Sequence, residues 1–276
     1  MCRVLEVSRS GFYARRTRRP SARQVRYALL TDAVEKSHED SKRAYGYRKV
    51  HEDVVETLEE PCCKETVRLI MKDRGLRAKR SWKFTHTTDS NHAYAIADNL
   101  LNRRFAAERP NEKWVADITY IPTLEGWSYL ATVMDLYGRR IVDWATSRRI
   151  DTALVSDALH AAIRERQPGV GLLHHSDRGV QYASTDYQKT LALFGMTCSM
   201  SRKGNCWDNA CMERFFSSLK SEWLGDTIYP THEAATTAIF EYIEVFYNSK
   251  RRHQALGYKT PIQYENETRH MEALAA

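Results

Sequence analysis

KWVADITYI, Lys113 to Ile121, places a carboxylate in the middle of a segment built for burial. Trp114, Val115, Ile118, Tyr120 and Ile121 form an apolar, β-branched and aromatic run, which predicts a central strand. Asp117 lies inside it. A buried carboxylate costs several kcal/mol or has its pKa driven up, so it needs a cation, a hydrogen-bond donor or a catalytic duty. A second acid closes LLHHSDRG, Leu172 to Gly179: a short apolar strand ends there, putting Asp177 where open α/β sheets hold ligands. The third belongs to WDNACMERFFSSLKSEW, Trp207 to Trp223. Met212, Phe215, Phe216, Leu219 and Trp223 recur at helical spacing, with Asp208 available as N-cap. On that helix Asn209, Glu213, Phe216 and Lys220 share a face, so an amide, an acid and a cation lie together.

Two neighbouring strands about 4.8 Å apart and a helix packed on their sheet bring Asp117, Asp177 and Glu213 to one place. Oxygen ligands of this kind suit Mg²⁺ or Mn²⁺, which keep several waters and bind phosphate oxygens alongside a few carboxylates. Two such ions serve an in-line phosphoryl displacement, and without them the acids repel one another and each pKa rises. Taken singly, the acids also read as a hydrogen-bonded strand residue, a turn former and a solvated helix position. Jointly they point to metal-dependent phosphoryl transfer.

From about Leu101 to Tyr264 the chain resembles bacterial insertion-sequence transposases of the IS-three type, in the DDE, retroviral-integrase-like superfamily. The segments that carry the resemblance are NEKWVADITYI, GWSYLATVMDLYGRRIV, HHSDRGVQYAS, SMSRKGNCWDNACMERFFSSLK and YIEVFYNSKRRHQALGYKTP. It implies an α/β, RNase H-like mixed sheet flanked by helices, preceded by a small helix-turn-helix-like domain. It also implies that Asp117, Asp177 and Glu213 are the catalytic, metal-binding triad, and that Lys220 contacts DNA. The 35 residues between Asp177 and Glu213 match the family's spacing. Cys211 departs from the proline that relatives often carry, at a first-turn position where many residues are tolerated. The family further implies double-stranded DNA partners (inverted-repeat ends and target), assembly as a homo-oligomer on DNA, and fusion by frameshifting to an upstream first-frame product. The start MCRVLEVSRSGFY fits a second-frame product.

The 276 residues carry a net charge of +7. Met1 to Glu112 holds 24 Lys and Arg against 16 Asp and Glu, whereas the remainder holds 18 against 19, so the positive excess is amino-terminal. That half is the expected electrostatic anchor for DNA. Residues 1–40 read as a basic arm or helix, with Arg3, Arg9, Arg15, Arg16, Arg18, Arg19, Arg23 and Arg26 against Glu6 in its first 26 positions. Residues 41–80 read as the helix-turn-helix-like domain. Val50, Val54, Val55 and Leu58 mark one helix; Pro61 breaks it; Val67, Ile70 and Met71 mark a second that Gly75 ends. Lys64, Arg68 and Lys72 form a basic stripe on the second, read as a DNA-recognition face or a solvated one. Residues 81–100 read as a linker, 101–265 as the catalytic core and 266–276 as a tail.

Six cysteines without a C-x-x-C pair imply reduced thiols. His174 and His175 with Cys198, Cys206 and Cys211 lack zinc spacing. No apolar run approaches the roughly 18 residues needed to span a bilayer, and the arginine-rich start lacks a signal peptide's apolar region, so a cytoplasmic protein with no membrane partner is expected.

Within the core the pattern predicts strands at Trp114–Ile121, Ser128–Leu136, Arg140–Thr146, Leu172–Ser176 and Thr197–Met200. Helices are predicted at Thr152–Arg166, Thr185–Phe194, around Glu213 and at His232–Tyr247. Arg202 and Lys203 in the loop Ser201–Asn209, Asn209 itself, and Arg251 and Arg252 near the end are candidate phosphate contacts. Trp127 and Trp144 read as core; Trp207, beside the glutamate helix, reads as a base-stacking residue. Two other functions stay open on the residues alone: a nuclease or resolvase that never joins strands, and a protein that only binds DNA ends.

Overall fold

A computed structural model describes residues 8–79, 94–203 and 205–275, which fall into two compact units, Met1–Ala78 and Lys79–Ala276. The first unit is helical: α1 (Arg9–Thr17), α2 (Ala22–Asp40), α3 (Tyr47–Leu58) and α4 (Lys64–Asp73). Ser21 and Gln24 close a reciprocal capping box that starts α2. Leu30, Thr31, Val34, Ser37 and His38 in its second half are buried, so this stretch is a packed helix. Gly75 (φ +66°) ends α4 with Gly75 N–H on Lys72 O and Leu76 N–H on Met71 O, a Schellman closure. Most of the expected linker, residues 80–93, lies outside the described residues.

The second unit is built on a five-stranded mixed sheet in the order β3-β2-β1-β4-β5. Its strands are β1 (Lys113–Thr123), β2 (Gly126–Asp135), β3 (Arg140–Ser147), β4 (Leu173–Ser176) and β5 (Thr197–Met200). β1, β2 and β3 run antiparallel; β4 runs parallel to β1, and β5 parallel to β4. Helices α5 (Thr152–Arg166), α6 (Val180–Ala183), α7 (Thr185–Leu193), α8 (Ala210–Ser218), α9 (His232–Phe240) and α10 (Pro261–Ala275) flank it. Trp114, Ala116 and Ile118 of β1 join Leu154, Val155, Ala158 and Leu159 of α5 in one apolar core. Because strand side chains alternate faces, Asp117 points away from that core, toward the side where α8 packs on β1.

Three features differ from the sequence expectation. The glutamate helix and the helix after it both widen into π-helical turns, Leu219–Leu224 and Glu241–Tyr247. Asp208 does not cap α8; it sits in a 3₁₀ turn, Cys206–Asn209, and is fully buried. The expected tail is the end of α10, anchored by buried Glu265, which pairs with Arg166 at 2.7 Å and Arg140 at 3.3 Å. Among the described residues no helix is long and apolar enough to cross a membrane.

Candidate active site

Asp117 and Asp177 line one cavity of about 540 Å³ at the carboxyl end of β4 and the middle of β1. Asp117 Oδ1 accepts the Ile118 N–H at 2.8 Å, and Asp177 Oδ1 accepts the Gly179 N–H at 2.9 Å. Glu213 projects from the first turn of α8, where the helix dipole favours a negative charge. Burial pushes the Asp117 carboxyl well above the usual range; the charges of Asp177 and then Glu213 push it the same way, while Lys220 opposes them. The three acids and the lysine therefore occupy one electrostatic neighbourhood.

The Lys220 ammonium lies 4.5 Å from the centroid of the Tyr120 ring. Burial lowers its pKa to about 8, partly offset by Asp117. Its surroundings are thus the acid site and an aromatic face. Asn209 donates from Nδ2 to Ala116 O at 3.1 Å, tying the start of α8 to the strand residue before Asp117. Among the described residues its buried Oδ1 meets no hydrogen-bond partner. Asn209 is 5% exposed, and its bond to Ala116 holds it against the strand.

The other candidate contacts divide by their partners. Arg202 Nε and Nη2 reach Asp208 at 2.9 and 2.7 Å, and Arg103 Nε reaches the same carboxylate at 2.9 Å. Arg202, helped by Arg103, holds the Asp208 carboxyl well below the usual range. Arg202 thereby clamps the loop before α8 while its side chain stays 47% exposed. Arg251 has a side chain 11% exposed that grips Glu222 with two bonds of 2.6 Å. Arg252 donates to Tyr258 O at 3.1 Å. Lys203 is exposed on its loop. In the helical unit Lys64 pairs with Glu52 at 3.2 Å, Arg68 pairs with Glu65, and Lys72 is exposed.

Sequence reasoning missed most of the cavity wall. Trp127, read as core, is 50% exposed and lines the cavity with Tyr120, Ile150 and Val180. The available signal was its place beside Gly126 at the hairpin tip, where a strand leaves the core. Trp144, also read as core, is half-buried, with its indole N–H on Glu244 at 2.9 Å. Trp207 is exposed and lies outside the lining of this cavity. His174 and His175 serve packing, bonded to Tyr187 and to Ser199 and Ser201.

The all-oxygen donor set of Asp117, Asp177 and Glu213 fits a hard divalent cation, and the mutual repulsion recorded in Asp117 is what such a cation would relieve. The carboxylates are not drawn into a closed cage: among the described residues no three His, Cys, Asp or Glu side chains stand close enough together to hold an ion.

A mixed sheet with this order and the acid-bearing strand at its centre is the RNase H-like fold of the integrase-core class. Family models agree: an integrase core domain matches residues 107–206, a second integrase core model residues 194–261, and an HTH-like domain residues 25–84. An IS600 insertion-element protein of 31 kDa from Shigella sonnei, described as uncharacterized, is 41% identical, covering 99% of this chain and 100% of that protein. Transposase InsF for insertion sequence IS3A of Escherichia coli (strain K12) is 41% identical, covering 96% and 93%. The chain belongs to the family of IS3-type insertion-sequence transposases. Among solved structures, a simian T-cell lymphotropic virus intasome is similar at 16% identity and TM-score 0.49, covering 84% of this chain and 74% of that one. An HTLV-2 integrase catalytic core in complex with magnesium is similar at 15% identity and TM-score 0.43, covering 57% and 98%.

Proposed function

We infer that this transposase cuts DNA strands at the ends of its insertion sequence and joins them to new DNA, with Asp117, Asp177 and Glu213 as the catalytic acids. The observation that carries this reading is the electrostatic coupling of three acids from β1, the end of β4 and α8, two of them lining one cavity. In the first step a water oxygen attacks the phosphodiester; the bond from phosphorus to the 3′ oxygen breaks, leaving a 3′-hydroxyl and a 5′-phosphate. In the second, that 3′ oxygen attacks a phosphodiester of the target, a new P–O bond forms, and the target's own 3′ oxygen leaves with a proton. No covalent bond to the protein is needed. Divalent cations, Mg²⁺ or Mn²⁺ and two in number, would activate the attacking oxygen and stabilise the leaving one when bound by the three acids. Lys220 supplies a positive charge beside Asp117, and Asn209 fixes the distance between α8 and β1.

The Met1–Ala78 unit is proposed to hold duplex DNA, with Lys64, Arg68 and Lys72 along α4 and Lys203 in the other unit as phosphate contacts. Residues 101–265 are proposed as the catalytic core. An upstream first-frame product and further copies of this chain complete the proposed assembly on inverted-repeat ends. The test is Asp117→Asn. Folded and DNA-bound, it is expected to lose both cleavage and joining of end DNA by at least about a thousandfold in Mg²⁺ or Mn²⁺, as removal of an essential group does. Full activity of this variant would refute the assignment. Pre-cut ends offered to the unaltered protein separate a joining enzyme from a simple nuclease.

A further inference from the structure

Beside the two aspartates the cavity wall is apolar: Trp127, Tyr120, Tyr129, Ile150 and Val180. Trp127, Ile150 and Val180 are 50, 45 and 36% exposed, so a cluster of apolar surface faces solvent within the pocket that holds the acids. Trp127 is held in place. Its ring meets Tyr120 edge to face, with centroids 4.9 Å apart and planes at 86°. Tyr120 is in turn fixed by the Lys220 ammonium at 4.5 Å. Across the hairpin Trp127 pairs with Pro122, whose locked φ stiffens the tip. The result is a flat aromatic surface fixed before any ligand arrives.

The geometry points to Trp127, braced by Tyr120, as a stacking platform for an unpaired nucleobase of the end DNA, adjoining the phosphodiester on which the acids act. The inference rests on the DNA-cutting reading above. A nucleobase is flat and uncharged, so it suits the wall, and it is covalently attached to the phosphate that the acids require. A volume of about 540 Å³ is in the range of pockets that enclose small ligands. A base paired inside a duplex cannot enter; the terminal base, stacked on one neighbour only, leaves at least cost. The platform therefore acts on the end nucleotide of the strand being joined.

The test uses the full chain and a duplex carrying the terminal repeat of its own element, with 2-aminopurine as the last base of the joined strand. In Ca²⁺, which keeps turnover low, the probe is expected to be quenched on binding to the unaltered protein and to Trp127→Phe. With Trp127→Ala the quench is lost, and joining, measured separately in Mg²⁺, falls about 5- to 100-fold, the range of one base–aromatic stack. An abasic end nucleotide should cost the unaltered protein the same factor and cost Trp127→Ala nothing more. Equal quench in Trp127→Ala, quench that follows Trp207→Ala instead, or additive losses would overturn the platform. Should quench depend on Trp127 in a protein that neither cuts nor joins, the platform stands and the catalytic reading falls. Should the protein cut and join with no dependence on Trp127, the reverse holds.

Discussion

Gly179 is a glycine because Asp177 folds back over it. A Cβ at this position would lie 3.0 Å from Asp177 Oδ1 and 3.0 Å from Gln181 Oε1, although its φ of −60° is open to any residue. Gly179→Ala is expected to fold normally and to displace the Asp177 carboxylate by a few tenths of an ångström. Misplacement on that scale lowers turnover by about tenfold, since a 1 Å error costs about a hundredfold. DNA affinity should be unaltered. An unchanged turnover number would show that the position of Asp177 is not critical. The acid and its glycine were both legible, because a strand end followed by glycine is a local pattern. The reason for the glycine was not, since a side chain returning onto its own backbone leaves no periodic trace. Arg251 shows the same limit at longer range. In the sequence it is one of several basic residues, and only the fold reveals Glu222, 29 positions earlier, as its partner.

That pair also governs elements. Glu222 sits in the π-helical turn that follows α8, and Arg251 follows the second π-helical turn, so their two short bonds tie both irregular segments together. Both side chains are almost enclosed, at 11 and 13% exposure. Removing one partner of such a pair leaves a buried charge uncompensated and costs roughly 3–5 kcal/mol. Arg251→Met is expected to lose about that much stability in urea denaturation, and Glu222→Gln added to it should recover part of the loss. The salt dependence of DNA binding should not change. A variant of normal stability with a shallower salt slope would instead make Arg251 a DNA contact. Elements with clear ends were readable: Asp151 caps α5 through the Leu154 N–H, and Gln167 in the left-handed region stops it before Pro168. The π-helical turns were not, because five residues of apolar spacing in one turn look like ordinary helical scatter. In α2 the arginine-rich first half masks the buried stripe of the second.

At the scale of the whole molecule, the five strands of a mixed sheet followed from strand signals and turn residues, whereas what lies beneath the site depends on how β4 is sandwiched. β4 runs between β1 and β5, and its His174 is fully buried, bonded to Tyr187 through Nε2 at 3.0 Å. Burial lowers the His174 pKa to about 3 and that of His175 to about 4. Above the unfolded value near 6.5 neither state is protonated, and the fold keeps its full stability. Below it the unfolded chain binds protons that the native imidazoles refuse, so stability is lost as pH falls from about 6.5 toward 4. Asp135, pushed up to about 6 by burial, works in the opposite sense between about 6 and 4, because its native carboxyl takes a proton first. The histidine contribution is separable by comparing the unaltered protein with His174→Phe, which keeps a ring against Tyr187 but cannot be protonated. The difference in unfolding free energy between the two is expected to shift by about 3 kcal/mol in favour of the variant between pH 7 and pH 4, at 1.36 kcal/mol per pH unit of the window. Urea melts at both pH values measure it, and a difference independent of pH would mean that His174 is as solvated in the native state as in the unfolded one.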